Sequence, residues 1–332
     1  MKPIVFGSRG SALALAQTRM IMDELQKARP EQKLELVIIK TEGDRRSEST
    51  QTDAESPLGK GLFTAELERA LLRSEIDVAV HSLKDLPTTD ADGLIVAAIP
   101  KRADARDVLI TRESENLAEL PYGAKVATGS PRRAMQIRNL GLNAEIAPGG
   151  NYGNSLRGMQ IRPAGPAWNL ETVPIRGNID TRLRKFRENP EWSALILAAA
   201  GLERLKPDLA GLTVTPIPFE KMLPAPGQGA LALQTRRDAA EIIEFVRTLH
   251  HAETCAEVTA ERAFLRGLGG GCEQPIAAYA EVSCDGELVL KVAAKLAGNN
   301  RRFNFKSKAK GAMNEAGQIG EKLARGMVDT MK

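Results

Sequence analysis

The chain has 332 residues, with 46 lysines and arginines against 42 aspartates and glutamates and a net charge of +4. This length predicts two or three domains. Balanced charge with only 4% aromatic residues argues against a nucleic-acid binder. Apolar runs stay below the roughly 20 residues of a membrane span. The first strand-like run is not preceded by a segment typical of a secretory signal. The three histidines and three cysteines lack the spacing of a zinc site or of a disulfide framework. We therefore expect a cytoplasmic protein without metal, membrane or nucleic-acid partners.

Short apolar runs alternate with helical patterns, which is typical of parallel α/β layers. In chain order, the predicted strands are Ile4–Phe6, Leu34–Ile39, Ile76–Val80, Leu94–Ile99, Val108–Ile110, Lys125–Thr128, Thr172–Ile175, Leu195–Ala198, Thr213–Ile217 and Leu231–Gln234. A turn is predicted at Gly7–Gly10, followed by a helix that Ser11 caps, and a second helix over Phe63–Leu72. The pattern indicates two α/β domains joined by crossing segments.

The C-terminal part of the chain has a different pattern. A helix from Ala252 to Leu265 is followed by strand runs near 277–282, 288–296 and 303–306 and by a final helix. This predicts a small α+β domain over 252–332. The two α/β domains are then expected over 1–99 with 230–247, and over 105–223.

Basic side chains recur where predicted strands end, which is where open α/β sheets bind ligands. They are Arg9, Lys84, Arg132, Arg133, Arg176 and Arg182, with Lys60 in a Gly-Lys-Gly segment. Each alone is more typical of a solvated surface charge. As a set in a chain of near-neutral net charge, they predict a positive cleft for a small ligand with many carboxylates or phosphates.

Asp85 is the one carboxylate predicted at this cleft, directly beside Lys84. One interpretation is a helix N-cap or a turn residue before Pro87. The other is an anion that stabilises positive charge developing on a ligand.

Cys272 follows three glycines in Gly269–Cys272, which leaves its thiol approachable on a loop. A lone cysteine is more often a small buried hydrophobe. The alternatives stay open on local sequence alone, whereas Cys255 lies in a predicted helix and Cys284 precedes an Asp-Gly hairpin turn.

Eight motifs together resemble those of the porphobilinogen deaminase family, and they occur in family order across nearly the whole chain. They are Gly7-Ser-Arg-Gly-Ser11, Gly59-Lys-Gly-Leu-Phe63, His81-Ser-Leu-Lys-Asp85, Thr128-Gly-Ser-Pro-Arg-Arg133, Arg176-Gly-Asn-Ile-Asp-Thr-Arg182, Pro226-Gly-Gln-Gly-Ala230, Thr259-Ala-Glu-Arg-Ala263 and Gly269-Gly-Gly-Cys272. Any one of them could arise by chance. The ordered set is highly specific.

The resemblance implies two α/β domains similar to periplasmic binding proteins and a third domain that carries the cysteine, in a monomer. It also implies a dipyrromethane cofactor held by a thioether to Cys272. Four porphobilinogens are then joined to it head to tail with loss of ammonia, and hydroxymethylbilane is released by water. This chemistry suits the residues, because Asp85 can stabilise positive charge on pyrrole nitrogens and the cations can bind the acetate and propionate of each ring.

The resemblance also implies residue roles by position. Lys84, Ser130, Arg132, Arg133 and Arg182 resemble the cofactor-carboxylate clamp, and Arg9, Ser11 and Arg176 resemble the residues that hold the incoming ring. Lys60 and Phe63 resemble a mobile loop over the site. Gln17 matches a family position near the site, but a role facing solvent also suits a polar helix residue, and we leave it out of the catalytic set.

Two segments depart from the family pattern. Pro57-Leu58 precedes Gly59 where the family has a longer glycine-rich approach, which leaves the behaviour of that loop open. Residues 141–170 form an apparent insertion in which Ser155–Arg162 echoes Ser130–Arg138, as in a local duplication. Its Gly, Asn and Pro content predicts a solvent-exposed excursion, although Arg157 and Arg162 could instead extend the positive cleft.

A protein that only binds a polycarboxylate metabolite is the alternative, because a two-lobed fold with a positive cleft suits that role as well. Cys272 discriminates between the two, since a simple binding protein does not need an accessible thiol on a third domain.

Overall fold

The structure is a computed structural model, and it describes residues 2–39, 64–114, 116–140, 170–270, 274–298 and 301–330. These residues form three sheets, of five, five and three strands. Within the described ranges, no helix has both the length and the apolar character needed to cross a membrane.

The first sheet has the order β2-β1-β3-β10-β4. Its strands are β1 (Ile4–Arg9), β2 (Leu34–Ile39), β3 (Val78–Ser82), β4 (Leu94–Ala98) and β10 (Leu231–Arg236). β1 is parallel to β2 and β3, whereas β10 is antiparallel to both its neighbours. Apolar residues at helical spacing bury one face of each covering helix. These helices are α1 (Ala12–Ala28), α2 (Ala65–Leu72) and α6 (Ala240–Arg247), with Phe6 and Ile21 buried on one side of the sheet and Leu67 on the other.

The second sheet repeats this arrangement, with the order β7-β6-β8-β5-β9. Its strands are β5 (Asp107–Thr111), β6 (Lys125–Ala127), β7 (Glu171–Val173), β8 (Trp192–Ala198) and β9 (Thr213–Pro216). β6 is parallel to β7 and β8, and β5 is antiparallel to β8 and β9. The associated helices are α3 (Pro131–Leu140), α4 (Ile179–Glu188) and α5 (Ala199–Leu205).

Each sheet contains one antiparallel strand that follows a segment crossing from the other sheet. The chain leaves the first sheet after β4 and enters the second as β5, then returns after β9 as β10. The crossing segments, 99–106 and 217–230, are joined by hydrogen bonds, including Arg102 Nε to the Gln228 carbonyl at 2.8 Å and Gln228 Nε2 to the Ala105 carbonyl at 2.8 Å. The predicted crossing segments are therefore present, and they lie side by side.

The C-terminal domain is an antiparallel sheet covered on one face by two helices. The sheet has the order β11 (Ile276–Val282), β12 (Glu287–Gly298) and β13 (Arg301–Ala312), and the helices are α7 (Ala252–Gly267) and α8 (Ala316–Thr330). Alternate residues such as Leu288, Leu290 and Val292 pack with Phe264 in its core. The predicted fold class, two α/β domains and a small α+β C-terminal domain, is confirmed.

The predicted turn at Gly7–Gly10 is wrong, because β1 continues through Arg9. Gly7 and Ser8 pair with Val37 and Ile38 of β2. A Cβ on Gly7 would overlap the Ile76 side chain, so this glycine allows close packing rather than a turn. As a result Arg9 is placed at the last position of the strand.

The last strand is much longer than predicted. The sequence suggested 303–306, and β13 spans Arg301–Ala312. Its lysines alternate with smaller residues and are exposed, as in Lys306, Lys308 and Lys310. The prediction depended on a run of apolar residues. A half-exposed edge strand rich in lysine has no such run, so most of its length was missed.

Candidate functional site

Cationic groups from both α/β domains meet at the candidate site. Lys84 follows β3 of the first sheet, whereas Arg132 and Arg133 begin α3 after β6 of the second. Burial lowers the pKa of Lys84; among charges, Arg133 and Arg132 lower it further, while Asp85 and Asp107 oppose the shift. Charges of the second domain therefore act on the lysine of the first.

Asp107, the first residue of β5, lies buried between the two arginines of α3. Its carboxylate accepts hydrogen bonds from Arg132 Nη1 at 2.7 Å and from Arg133 Nη2 at 2.8 Å. Burial alone would raise the pKa of this carboxyl, but the two guanidinium groups outweigh burial and hold the pKa below its ordinary value. Asp107 therefore stays ionised and fixes the arginines, although sequence reasoning did not select it.

The two arginines differ in how fully the protein satisfies them. Each guanidinium nitrogen of Arg133 has a partner, on Asp107 or on the Ile196 carbonyl. Arg132 also binds the Leu223 carbonyl, but its buried Nε has no hydrogen-bond partner among the described residues. A buried donor without a partner is expected to face a ligand or an ordered water.

Gln228 connects this cluster to the returning crossing segment. Its side chain is 1% exposed, and Nε2 donates to Asp107 at 2.9 Å. Its position next to the glycines at 227 and 229, both with φ near +80°, allows the backbone to turn tightly there. The crossing segment is thereby held against the arginine cluster.

Ser130, Arg176 and Arg182 surround the N-terminus of α3. Ser130 Oγ accepts from the Arg133 backbone N–H at 3.4 Å, so Ser130 caps a helix whose positive end faces the cluster. A Cβ on Gly129 would overlap the Ile175 carbonyl, which brings the 128–130 segment against the segment that carries Arg176. Burial, Arg133 and Arg176 all lower the pKa of Arg182, so these arginines share one region.

Arg9 and Ser11 lie at the corresponding edge of the first sheet. Arg9 ends β1, and Ser11 Oγ accepts from the Ala14 N–H at 3.4 Å as the N-cap of α1. This confirms the predicted cap. Behind Arg9, the His81 ring lies buried and its Nε2 is 3.1 Å from Gln234 Oε1.

His81 makes the stability of this part of the molecule pH-dependent. Burial, reinforced by the charge of Arg9 and only partly offset by Gln234, lowers the pKa of His81 from 6.5 to about 4. Between these values the unfolded chain binds more protons than the folded chain, so this group makes the free energy of unfolding fall as the pH decreases from 6.5 to 4. The loss should reach about 3 kcal/mol. Denaturant unfolding of wild type and His81→Gln at several pH values should give a shallower decline for the variant; parallel declines would contradict this.

Gln17 does not face solvent. It is 4% exposed, and its amide lies 3.0 Å from the Ser82 hydroxyl at the end of β3. It therefore ties α1 to the strand that precedes Lys84. Its helical pattern did not reveal this, because the partner lies 65 residues away.

Asp85 ends a 3-10 turn, Leu83–Asp85, and its side chain is exposed. No described helix begins directly after it, since the next element is β4. The N-cap interpretation is therefore wrong. Asp85 is placed next to the half-buried Lys84, at the edge of a mainly cationic cluster.

Arg204 of α5 is a further cation that the sequence analysis missed. Its Nη2 donates to the Gly229 carbonyl at 2.6 Å, while its buried Nε has no partner in the described part of the chain. Burial lowers the pKa of Arg204. The search for cations at strand ends did not select Arg204, because this residue lies six residues beyond the end of β8.

Three of the predicted site residues, Lys60, Phe63 and Cys272, lie outside the described residues, as does the apparent insertion after Leu140. Their roles stay predictions. The candidate site residues that the structure describes are Arg9, Ser11, Lys84, Asp85, Ser130, Arg132, Arg133, Arg176 and Arg182, and contacts in the structure add Asp107, Arg204 and Gln228 as candidates.

These features fit an anionic ligand. The buried Nε donors of Arg132 and Arg204 need acceptors, and helices α1 and α3 direct their N-termini to the cationic residues. A linear ligand with several carboxylates would match this donor set. The fold and the candidate site thus fit a two-lobed α/β protein that binds a polycarboxylate, with Asp85 exposed beside the cationic residues.

The chain belongs to the porphobilinogen deaminase family. The family described as "Porphobilinogen deaminase, dipyromethane cofactor binding domain" matches residues 4–244, and "Porphobilinogen deaminase, C-terminal domain" matches 255–329. The porphobilinogen deaminase of Syntrophus aciditrophicus is 42% identical over 97% of this chain and 94% of that protein, and that of Thermus thermophilus is 40% identical over 99% and 96%. Among solved structures, the methionine-binding protein MetQ has a TM-score of 0.41 and 14% identity, covering 78% of this chain and 94% of that chain.

The resemblance found in the sequence motifs is therefore confirmed. The chain is an enzyme, a transferase of tetrapyrrole synthesis with a dipyrromethane cofactor and porphobilinogen as substrate. The alternative of a simple binding protein is not favoured.

Proposed function

We propose that this transferase joins four porphobilinogens head to tail at the cleft between its α/β domains, with Asp85 as the catalytic residue. The observation that carries the proposal is the cluster in which charges of the second domain act on Lys84 of the first, with Asp85 exposed beside it. Such a site can hold many carboxylates and still place one anion near the reacting ring.

Asp85 would accept N–H groups of the substrate pyrrole and stabilise the positive charge that develops when ammonia leaves. Lys84 is adjacent in sequence, and the charge of Asp85 opposes the loss of its proton. The rest of the cluster is cationic, apart from the internally paired Asp107. A single anion at this position therefore acts on the ring and not on the ring's carboxylates, which the cations bind.

Arg9, Ser11 and Arg176 would bind the acetate and propionate of the incoming substrate. Arg9 ends β1 and Ser11 caps α1 in the first domain, whereas Arg176 follows β7 in the second. A ligand bound to all three would bridge the domains and orient the reacting carbon. By their motif, Lys60 and Phe63 would belong to the same substrate-binding set.

The cofactor would be held by Lys84, Ser130, Arg132, Arg133 and Arg182 and attached at Cys272. When bound, the dipyrromethane supplies the terminal pyrrole to which the first substrate is joined. Arg132 has a free buried donor for a carboxylate, and Arg133, whose nitrogens already have partners, would contribute positive charge. Arg204 is a further candidate for this set.

The domain limits are part of the proposal: 1–99 with 230–247, 105–223 and 252–332. The division of the strands among three sheets supports these domain limits.

We also propose a monomer in the cytoplasm that does not bind nucleic acid. Sedimentation of the purified protein tests the monomer.

Stoichiometry tests the function directly. The purified protein mixed with porphobilinogen should release one ammonia per substrate consumed and one linear tetrapyrrole per four. A simple binding protein would retain porphobilinogen without releasing ammonia, and that result would overturn the proposal.

The apparent insertion should be dispensable for catalysis. Removing Leu142 to Trp168 and joining the ends shortens the segment between α3 and β7, and the length of a connecting segment alone changes stability by about 1 kcal/mol or less. We expect the deletion variant to load cofactor and to form product at a rate close to wild type. If it loads cofactor but accumulates partly elongated intermediates by mass spectrometry, Arg157 and Arg162 take part in binding the growing chain.

A further inference from the structure

The 3-10 turn that carries Lys84 and Asp85 lies against α7 of the C-terminal domain. Arg262 of α7 donates from Nη1 to the carbonyls of Leu83 and Leu86, at 3.3 and 3.0 Å, and from Nη2 to that of Pro87 at 2.6 Å. Apolar contacts accompany these bonds, because Val258 of the same helix is buried with Leu83 and Leu86 in one cluster. One guanidinium therefore binds three carbonyls around the turn.

The preceding residue, Glu261, holds the turn from a second side. Its buried carboxylate accepts from the Gly227 N–H at 2.6 Å and from Arg102 at 2.7 and 3.0 Å. Gly227 packs against the 3-10 turn that carries Lys84 and Asp85. A Cβ built on Gly227 would lie 3.3 Å from Lys84 N and from Leu83 Cγ. Adjacent residues of α7 thus fix the turn and the crossing segment packed against it.

We propose that Arg262 is a positioning residue for the transferase reaction, because it sets the location of the turn that presents Asp85. The inference rests on the proposed role of Asp85. It gives the C-terminal domain a part in catalysis separate from carrying the cofactor cysteine.

The geometry of the guanidinium explains why arginine is needed. Its planar group donates in several fixed directions, so it can bind three carbonyls at once. A lysine keeps the charge but presents one nitrogen on a flexible stem, and it cannot hold all three. A displacement of Asp85 by a fraction of an ångström would weaken its bonds to the developing cation much more than the binding of substrate carboxylates.

The test compares Arg262→Lys and Arg262→Gln with Arg266→Ala. Arg266 lies one turn further along α7 and forms an ion pair with Glu321 in which both side chains are about half exposed, so it controls for changes to this helix. We expect the Arg262 variants to load cofactor and to fold, with kcat reduced about tenfold or more and KM changed less than about threefold. Arg266→Ala should behave as wild type.

A double-mutant cycle separates positioning from a general loss of stability. If Arg262 acts through Asp85, adding Arg262→Lys to Asp85→Asn should lower kcat less than about twofold further. Wild-type kcat in the Arg262 variants, purification of those variants without cofactor, or fully multiplicative effects in the cycle would each overturn the positioning role. Normal turnover by Asp85→Asn would instead overturn the proposed role of Asp85 itself.

Discussion

Asp85→Asn should lower kcat at least about a hundredfold while the fold and the cofactor are retained. The substitution removes the anion but keeps the shape of the side chain, and loss of one key electrostatic group has an effect of this size. Asp85 is exposed at the end of its turn and has no described role in holding that turn, so thermal unfolding should change little. Steady-state kinetics and intact mass on the same preparation check this.

Asp92→Asn is the matched control, because Asp92 is an exposed aspartate in the segment between the same turn and β4. It should turn over as wild type does. Normal turnover by Asp85→Asn would reduce Asp85 to a turn residue and would contradict its proposed electrostatic role.

Asp107→Asn should destabilise the protein by about 3–5 kcal/mol and give mostly cofactor-free material. The variant keeps the shape of the side chain but leaves Arg132 and Arg133 buried without the anion that pairs with both of them. Removing one partner of a buried ion pair has a cost of this size. Denaturant unfolding measures the stability, and the mass of the purified variant measures the cofactor.

Asp104→Asn controls for substitution in the same crossing segment. Asp104 pairs with Arg106, but the two side chains are 31% and 40% exposed, so the change should cost under about 1 kcal/mol. Equal losses of stability in the two variants would contradict the special role given to Asp107.

The location of the site could be predicted from the sequence because it follows from topology. Cations that follow parallel strands come to one edge of a sheet, and Arg9 and Lys84 obey this rule. The rule works without knowledge of side-chain contacts. The rule does not select Arg204, because most of α5 separates this residue from the end of β8.

The internal partners of these residues could not be predicted, because they depend on contacts between distant segments. Asp107 follows Arg106 at the start of a strand, and this pair of charges in sequence resembles an exposed turn. In the structure, Asp107 pairs with arginines 25 and 26 residues away. Arg102 and Glu261 are 159 residues apart. Burial of such charges is decided by how distant segments pack against each other, which local periodicity does not encode.

Packing between elements of one domain explains why Gln17 was misjudged. On an isolated helix its amide would face water, but α1 packs on the end of β3 and buries it against Ser82. Periodicity describes one helix at a time. Polar residues buried by a neighbouring element are therefore the ones that this reasoning misses.

The central claim is that this transferase builds its product on a dipyrromethane attached at Cys272, and the intact mass of the purified protein tests it most directly. We expect a mass that exceeds the sequence mass by one dipyrromethane, and a series of species with one to four further pyrrole units after porphobilinogen is added. Cys272→Ser should remove both the excess mass and the activity, whereas Cys255→Ser and Cys284→Ser, at cysteines that form no disulfide among the described residues, should retain them. Active protein at the unmodified sequence mass, or an adduct that persists in Cys272→Ser, would contradict this account.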